Sequence, residues 1–332
     1  VLCPGSDVGQ VGVDIRAGIA RQGPGRSRPD QQRLPLTVQE READVQAGVQ
    51  DVLVPLRHLL LREPGAATGT PLHNVVPLVD PTTLVAHLEE FADTTIEDAA
   101  SAPGSLAVDI GSNDGTLLRF YRDRGMRIQG VDAALGIAAD ANEAGIPTIP
   151  GFFGLEAAQK ITQESGKASI VCANRVLANI DEMTDVALGI KELLAPDGVF
   201  YFETGYSVDI FEKKLLDTIY HEHLGYDSAR PLRAYFQRHG MELLDIQHIP
   251  LKNGSLRGTV QLAGGPRKVQ ASIQEMVDFE DAQGLNTVEF YQDFARMIDE
   301  EKTRLHDVVS KLVSQGKTFA GYGASVGATT LI

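Results

Sequence analysis

Tyr220-His221-Glu222-His223 sets a phenol, two imidazoles and a carboxylate in four consecutive positions. Such a set can supply an acid, a base and a group that orients them. Zinc chemistry is a competing reading. A zinc helix carries H-E-x-x-H, with both histidines on one face, whereas His221 and His223 share a face only in an extended segment. No third ligand is evident, so no metal site is expected. Histidines that merely pack or hydrogen-bond are the remaining alternative, and in that reading His221 rather than His223 can face the site.

A second set of residues can hold a nucleoside. The apolar run 106–110 reads as a buried strand, ends in a turn bearing Gly111, Asn113 and Gly115, and leads into a helix from Thr116. Such a turn lets main-chain N–H groups approach a ligand. The next apolar stretch ends in Gly130-Val131-Asp132, where a carboxylate can accept hydrogen bonds from both ribose hydroxyls. A dinucleotide fold needs glycine at the middle of G-x-G-x-x-G, and here that position is Asn113. Asp109, which leads the turn, repels a pyrophosphate but suits a cation such as the ammonium of S-adenosylmethionine. Asp-x-Gly-x-Asn-x-Gly from Asp109, followed by Asp132, resembles motifs I and II of class I S-adenosylmethionine-dependent methyltransferases, which implies S-adenosylmethionine as cofactor, bound by Asp109, Gly111, Asn113, Gly115 and Asp132. A tight strand–helix turn without a ligand is the alternative. After the third strand Phe152 or Phe153 can flank an adenine, with Phe153 the candidate and core packing the alternative. Asn174 stands where a ligand-facing polar residue is expected. Arg257 can meet a diphosphate or carboxylate, or be a solvated surface residue, and Cys172 reads as a small core residue.

These positions require a scaffold of alternating strands and helices. Apolar runs at 106–110, 126–131, 148–151, 169–173 and 199–203 read as strands, and periodic segments at 117–124, 136–144, 156–165 and 183–194 as helices. This is an α/β chain: a doubly wound, mostly parallel, Rossmann-like sheet with ligands at the carboxyl ends of its strands. Pro196-Asp197-Gly198 reads as a turn, and Thr82 or Thr83 can cap a helix running through Phe91. Runs 243–249 and 255–262 form a hairpin through Lys252-Asn253-Gly254. Residues 288–313 have helical spacing that fits core packing or a bridge between domains. Thr318 to Ser325 again runs from strand to glycine turn, like the start of a second Rossmann-like unit. Three segments are expected: an irregular, poorly ordered stretch at 1–75, a cofactor-binding domain at 76–265, and a helical bridge with a truncated nucleotide-fold unit at 266–332. The chain reads as a fragment or a shortened form.

Among 332 residues, 43% are hydrophobic, the formal net charge is −15 and the sequence pI is about 4.9. Nucleic-acid binders rely on clustered Lys and Arg, so no nucleic-acid partner is expected, and a small molecule is. No apolar run reaches the ~18 residues of a membrane span, and the first twenty residues do not resemble a secretory signal. Cys3 and Cys172 provide neither a disulfide framework nor a zinc site. A cytoplasmic location is expected.

The motifs occur in a specific order: Asp-Ile-Gly-Ser-Asn-Asp-Gly-Thr-Leu-Leu from Asp109, Gly130-Val-Asp-Ala, Phe202-Glu-Thr-Gly-Tyr, Ile219-Tyr-His-Glu-His-Leu, Pro231-Leu, His239-Gly-Met-Glu and Gly254-Ser-Leu-Arg-Gly. Over residues 80–332 this resembles the sugar C-methyltransferase family of class I S-adenosylmethionine-dependent methyltransferases, which act on nucleotide-linked deoxy keto-sugars. The resemblance implies His223 as general base, with Tyr220 and Glu222 beside it. Removing a proton beside a ketone gives an enolate, and an imidazole can take that proton. Tyr220 or another donor can stabilise the oxyanion. The chain departs from the family in lacking paired N-terminal cysteines, in ending inside its C-terminal unit, and in placing Asn179 where a histidine is common. An O- or N-methyltransferase, and a binding module left inactive by truncation, are the rival functions.

Overall fold

A computed structural model describes residues 81–251 and 254–318, all within one compact unit. The expectations for 1–75, for Lys252-Asn253 and for the nucleotide-fold start after Thr318 lie outside the described residues. The described chain runs α1 (Pro81–Asp98), β1 (Leu106–Ile110), α2 (Thr116–Asp123), β2 (Arg127–Asp132), α3 (Leu135–Glu143), β3 (Thr148–Pro150), α4 (Leu155–Ser165) and β4 (Ala168–Asn174). It continues through α5 (Met183–Leu193), β5 (Leu194–Gly205), α6 (Ser207–Glu212), α7 (Ala229–Arg238), β6 (Met241–Ile249), β7 (Ser255–Leu262), α8 (Ser272–Ala282) and α9 (Val288–Ser314).

One seven-stranded sheet has the order β3-β2-β1-β4-β5-β7-β6. The first five strands in sequence are parallel, while β7 is antiparallel to β5 and to β6. The α/β, mostly parallel, Rossmann-like reading therefore holds, and the hairpin closes the sheet. From β1 the chain winds outward through β2 and β3, then returns to place β4 on the other side of β1. That reversal opens a crevice beyond the carboxyl ends of β1 and β4. Buried Val108 and Ile110 face a core built with α4, α5, α7 and α8, whereas Ala107 faces a second core with Phe91, Leu117, Leu118 and Tyr121. The period of two along β1 thus fills both faces of the sheet.

Two expectations change. Residues 196–198 form no separate turn, because Leu194 already pairs with Ala168 and Val199 with Ile170, so the extra residues bulge within β5. The helix α9 packs only through its first half. Thr287 caps it by accepting the N–H of Phe290 at 3.3 Å. Phe294 and Ile298 are buried with Ile219, while Leu305, Val308 and Val313 are exposed. The first half of α9 therefore supports the segment that leads into Tyr220. No helix among the described residues is long and apolar enough to cross a membrane.

Candidate active site

The glycine turn wraps the carboxyl end of β1. Gly111 has φ +74°, and an added Cβ would lie 2.3 Å from Val176 Cγ2. Gly115 has φ +75°, and a Cβ there would meet Ile146 at 2.6 Å. Both positions need glycine for handedness and for space. The Gly111 N–H donates to Val131 O at 2.8 Å, which fastens the turn to β2. Asn113, at φ +50°, donates its N–H to Asp132 Oδ2 at 2.8 Å, while Ala134 N–H donates to Oδ1 at 2.8 Å. Asp132 is thus fixed by two charge-assisted bonds, and each carboxylate oxygen keeps capacity for another donor.

Asp109 lies elsewhere than expected. The alternation of β1 turns its side chain into the α1/α2 side, where it is 4% exposed. The Cys172 thiol donates to its Oδ1 at 3.4 Å, and among the described residues no cation pairs with it. Burial pushes its pKa up to about 7, against the Cys172 hydrogen bond, with the negative field of Asp132 adding to the rise. It is a charge beneath the turn rather than a ligand-facing carboxylate. Phe153 is corrected too: at 8% exposed it belongs to the core, and Phe152, at 85%, is the ring left outside. The two rings leave the irregular segment after β3 in opposite senses, one into the core and one outward.

Asn174 ends β4 with both amide atoms buried and unpartnered, and Ser112 Oγ is likewise unpartnered. A buried unpaired polar atom costs ~1–3 kcal/mol, so a polar ligand at this edge recovers what the fold gives up. Two glycines that exclude Cβ, a fixed carboxylate and orphaned amide atoms fit the nucleoside and amino-acid ends of S-adenosylmethionine.

The Tyr-His segment docks beside this edge. A short 3-10 turn, Leu177–Asn179, follows β4. Ala178 O accepts the N–H groups of Leu224 and Gly225 at 2.6 and 3.1 Å, and Asn179 Nδ2 donates to Glu222 O at 3.0 Å. Farther on, Thr204 Oγ donates to the half-buried Asp227 at 2.5 Å. Asn179 is therefore a brace for the segment. Between these ties, His223 Nδ1 lies 2.8 Å from Thr218 O, and Nε2 lies 3.0 Å from the Tyr220 hydroxyl. A carbonyl only accepts, so Nδ1 carries the proton. In the neutral ring Nε2 then accepts from Tyr220. The two rings lie 4.2 Å apart. Burial, then the Glu222 charge, raises the Tyr220 pKa against the opposing field of Arg175, which keeps it a donor. His221 points outward, 61% exposed, with Glu222 3.8 Å away.

Arg257 is not a solvated surface residue, and the carboxylate it meets is the protein's own. Its Nε donates to Glu203 Oε1 at 2.7 Å, and its guanidinium lies 5.0 Å over Phe91. His87 Nε2 donates to the same carboxylate at 2.8 Å. Burial pushes Glu203 up, but His87 and Arg257 outweigh it and hold the carboxyl below its usual range. This network ties α1 and β7 to the end of β5.

The sequence matches the methyltransferase domain family over residues 84–246 and the C-methyltransferase C-terminal domain family over 250–332. A relative, the C-methyltransferase NovU of Streptomyces niveus, is 32% identical over 280 residues, 84% of this chain and 66% of that protein. The chain thus spans about two thirds of the relative's length. Among solved structures, the 1,6-didemethyltoxoflavin-N1-methyltransferase of Burkholderia thailandensis aligns at 15% identity and TM-score 0.40, covering 70% of this chain and 93% of that one. PH0226 of Pyrococcus horikoshii aligns at 12% identity and TM-score 0.42, covering 53% and 90%.

Proposed function

Because this chain belongs to the class I S-adenosylmethionine-dependent methyltransferases and resembles their C-methyltransferases, we propose that it methylates carbon beside the ketone of a nucleotide-linked keto-deoxysugar. The observation that carries this reading is the His223–Tyr220 pair, braced at the crevice edge that also holds the glycine turn. S-adenosylmethionine, when bound, supplies an electrophilic methyl group, so the protein's task is to make carbon nucleophilic.

His223 does this as the base. The bond to Thr218 O fixes the tautomer that leaves Nε2 unprotonated. The substrate C–H bond breaks, its electron pair forms the C=C bond of an enolate, and the carbonyl π pair moves to oxygen. The substrate proton goes to His223 Nε2 where substrate displaces the Tyr220 hydroxyl, or to the Tyr220 oxygen as Tyr220 passes its own proton to Nε2. Glu222 lies beside the pair and biases Tyr220 toward its protonated form. In this proposal Gly111, Asn113, Gly115, Asp132 and Asn174 line the cofactor site, and Asp109 acts on it through its field. A soluble metabolite in the cytoplasm is the substrate setting the proposal adopts.

The test is product analysis. The protein is incubated with S-adenosylmethionine labelled at the methyl group and a panel of nucleoside-diphosphate keto-deoxyhexoses. A new carbon–methyl bond beside the former carbonyl is expected. Label on oxygen or nitrogen alone would overturn the reading.

A further inference from the structure

Resting on that reading, we propose that Arg175 is a catalytic residue: its guanidinium receives the negative charge that develops on the substrate's carbonyl oxygen as the enolate forms. The expectation that Tyr220 supplies this stabilisation meets a difficulty of inventory. A phenol has one proton, and the Tyr220 proton is directed at His223 Nε2, 3.0 Å away. Where Tyr220 stays on His223 or relays its proton to it, another donor must meet the oxyanion.

Arg175 occupies the right place. It follows Asn174 at the carboxyl end of β4, between the glycine turn that Val176 touches and the Ala178–Asn179 brace that carries Tyr220 and His223. Its backbone has φ +60°, unusual for a residue with a side chain, and its N–H donates to Glu203 O at 2.6 Å. The guanidinium donates through Nη1 to Ser255 Oγ at 2.9 Å. No carboxylate lies within ion-pair distance of it among the described residues, unlike Arg257, which has Glu203 and Glu90. Ser255 occupies one of five N–H donors, so others are free to act. Burial lowers the Arg175 pKa, opposed by the fields of Glu203 and Tyr220. An arginine still stays charged.

A half-buried cation without an ion-pair partner is costly in the resting fold. It repays that cost when a negative charge forms next to it, and a charge formed only during reaction gains the most. The neighbouring Asn174 amide, buried and unpartnered, offers further polar atoms to a ligand at this edge. The alternative role is structural, with Arg175 only tying β4 to β7 through Ser255.

The experiment measures deuterium wash-in at the acidic substrate carbon in heavy water, with S-adenosylhomocysteine filling the cofactor site. The probes are the panel of nucleoside-diphosphate keto-deoxyhexoses. Arg175→Gln should slow exchange by on the order of 100-fold, and Arg175→Lys by on the order of 10-fold, with S-adenosylhomocysteine affinity within about threefold of wild type. Ser255→Ala removes the structural tie but keeps the charge, and should leave exchange within about threefold. Exchange that His223→Asn abolishes but both Arg175 variants retain at the wild-type rate would overturn this inference and leave the function standing. Equal loss in Ser255→Ala and Arg175→Gln would also overturn it, in favour of the structural role. No exchange by wild type on any probe would overturn the proposed function and this inference with it.

Discussion

Replacing Asp109 by asparagine should stabilise the ligand-free protein in alkali and weaken its hold on a cationic cofactor. Burial holds the native carboxyl near a pKa of about 7, while in the unfolded chain it titrates at its ordinary value of ~3.9. The native state therefore keeps a proton that the unfolded state has lost. The group's contribution to folding is full below the unfolded value and declines as pH rises through the folded one. Each pKa unit is worth ~1.4 kcal/mol, so between about pH 5 and about pH 8 wild type loses ~3 kcal/mol through this group. Asparagine carries no charge at any pH, so the variant-minus-wild-type stability should rise by that ~3 kcal/mol, an increase of about 1 M in urea midpoint. Taking the difference cancels other groups that titrate in both proteins, including Glu203. The function cost should appear in calorimetry. A cationic cofactor favours the ionised carboxyl, so near pH 7 its binding should release about half a proton in wild type and none in Asp109→Asn. Buffers of different ionisation enthalpy read that number directly. A flat stability difference across the interval, or equal proton release by both proteins, would refute the reasoning.

Gly111→Ala places a Cβ 2.3 Å from Val176 at φ +74°, and should cost ~2–5 kcal/mol from left-handed strain and overpacking together, read by chemical denaturation with cofactor affinity falling in parallel. Asp132→Ala should weaken S-adenosylmethionine binding by ~1.5–3 kcal/mol. It also frees the N–H groups of Asn113 and Ala134, so hydrogen exchange at those two amides should accelerate; unchanged calorimetric affinity would remove Asp132 from the site.

The sheet was legible because its strands are mostly apolar runs that alternate with helical periodicity, and because β1, its turn and α2 are continuous in sequence. Residues 219–224 stood out for the same reason: the chemistry lies within six consecutive positions. What stayed hidden depends on distant partners. Arg257 reads as meeting a diphosphate or carboxylate, or as a surface residue, and only the pairing of β7 with β5 sets it beside Glu203. The direction of Asp109 follows from which face Ala107 takes, and the choice between Phe152 and Phe153 turns on the path of the irregular segment after β3. Residues 196–198 look like a turn in isolation, but the pairing of β4 with β5 on both sides absorbs them as a bulge. Arg175 carried no local signal. Only the docking of residues 219–225 on Ala178 and Asn179 brings it near Tyr220.

The most direct test of the account compares His223→Asn with His221→Asn for substrate deuterium exchange and for methyl transfer to carbon, with S-adenosylhomocysteine affinity measured alongside. The base touches substrate and not the methyl donor, so His223→Asn should abolish both activities while binding stays nearly unchanged. The outward-facing His221 variant should remain close to wild type. Exchange at the wild-type rate in His223→Asn would place the base elsewhere and contradict the account.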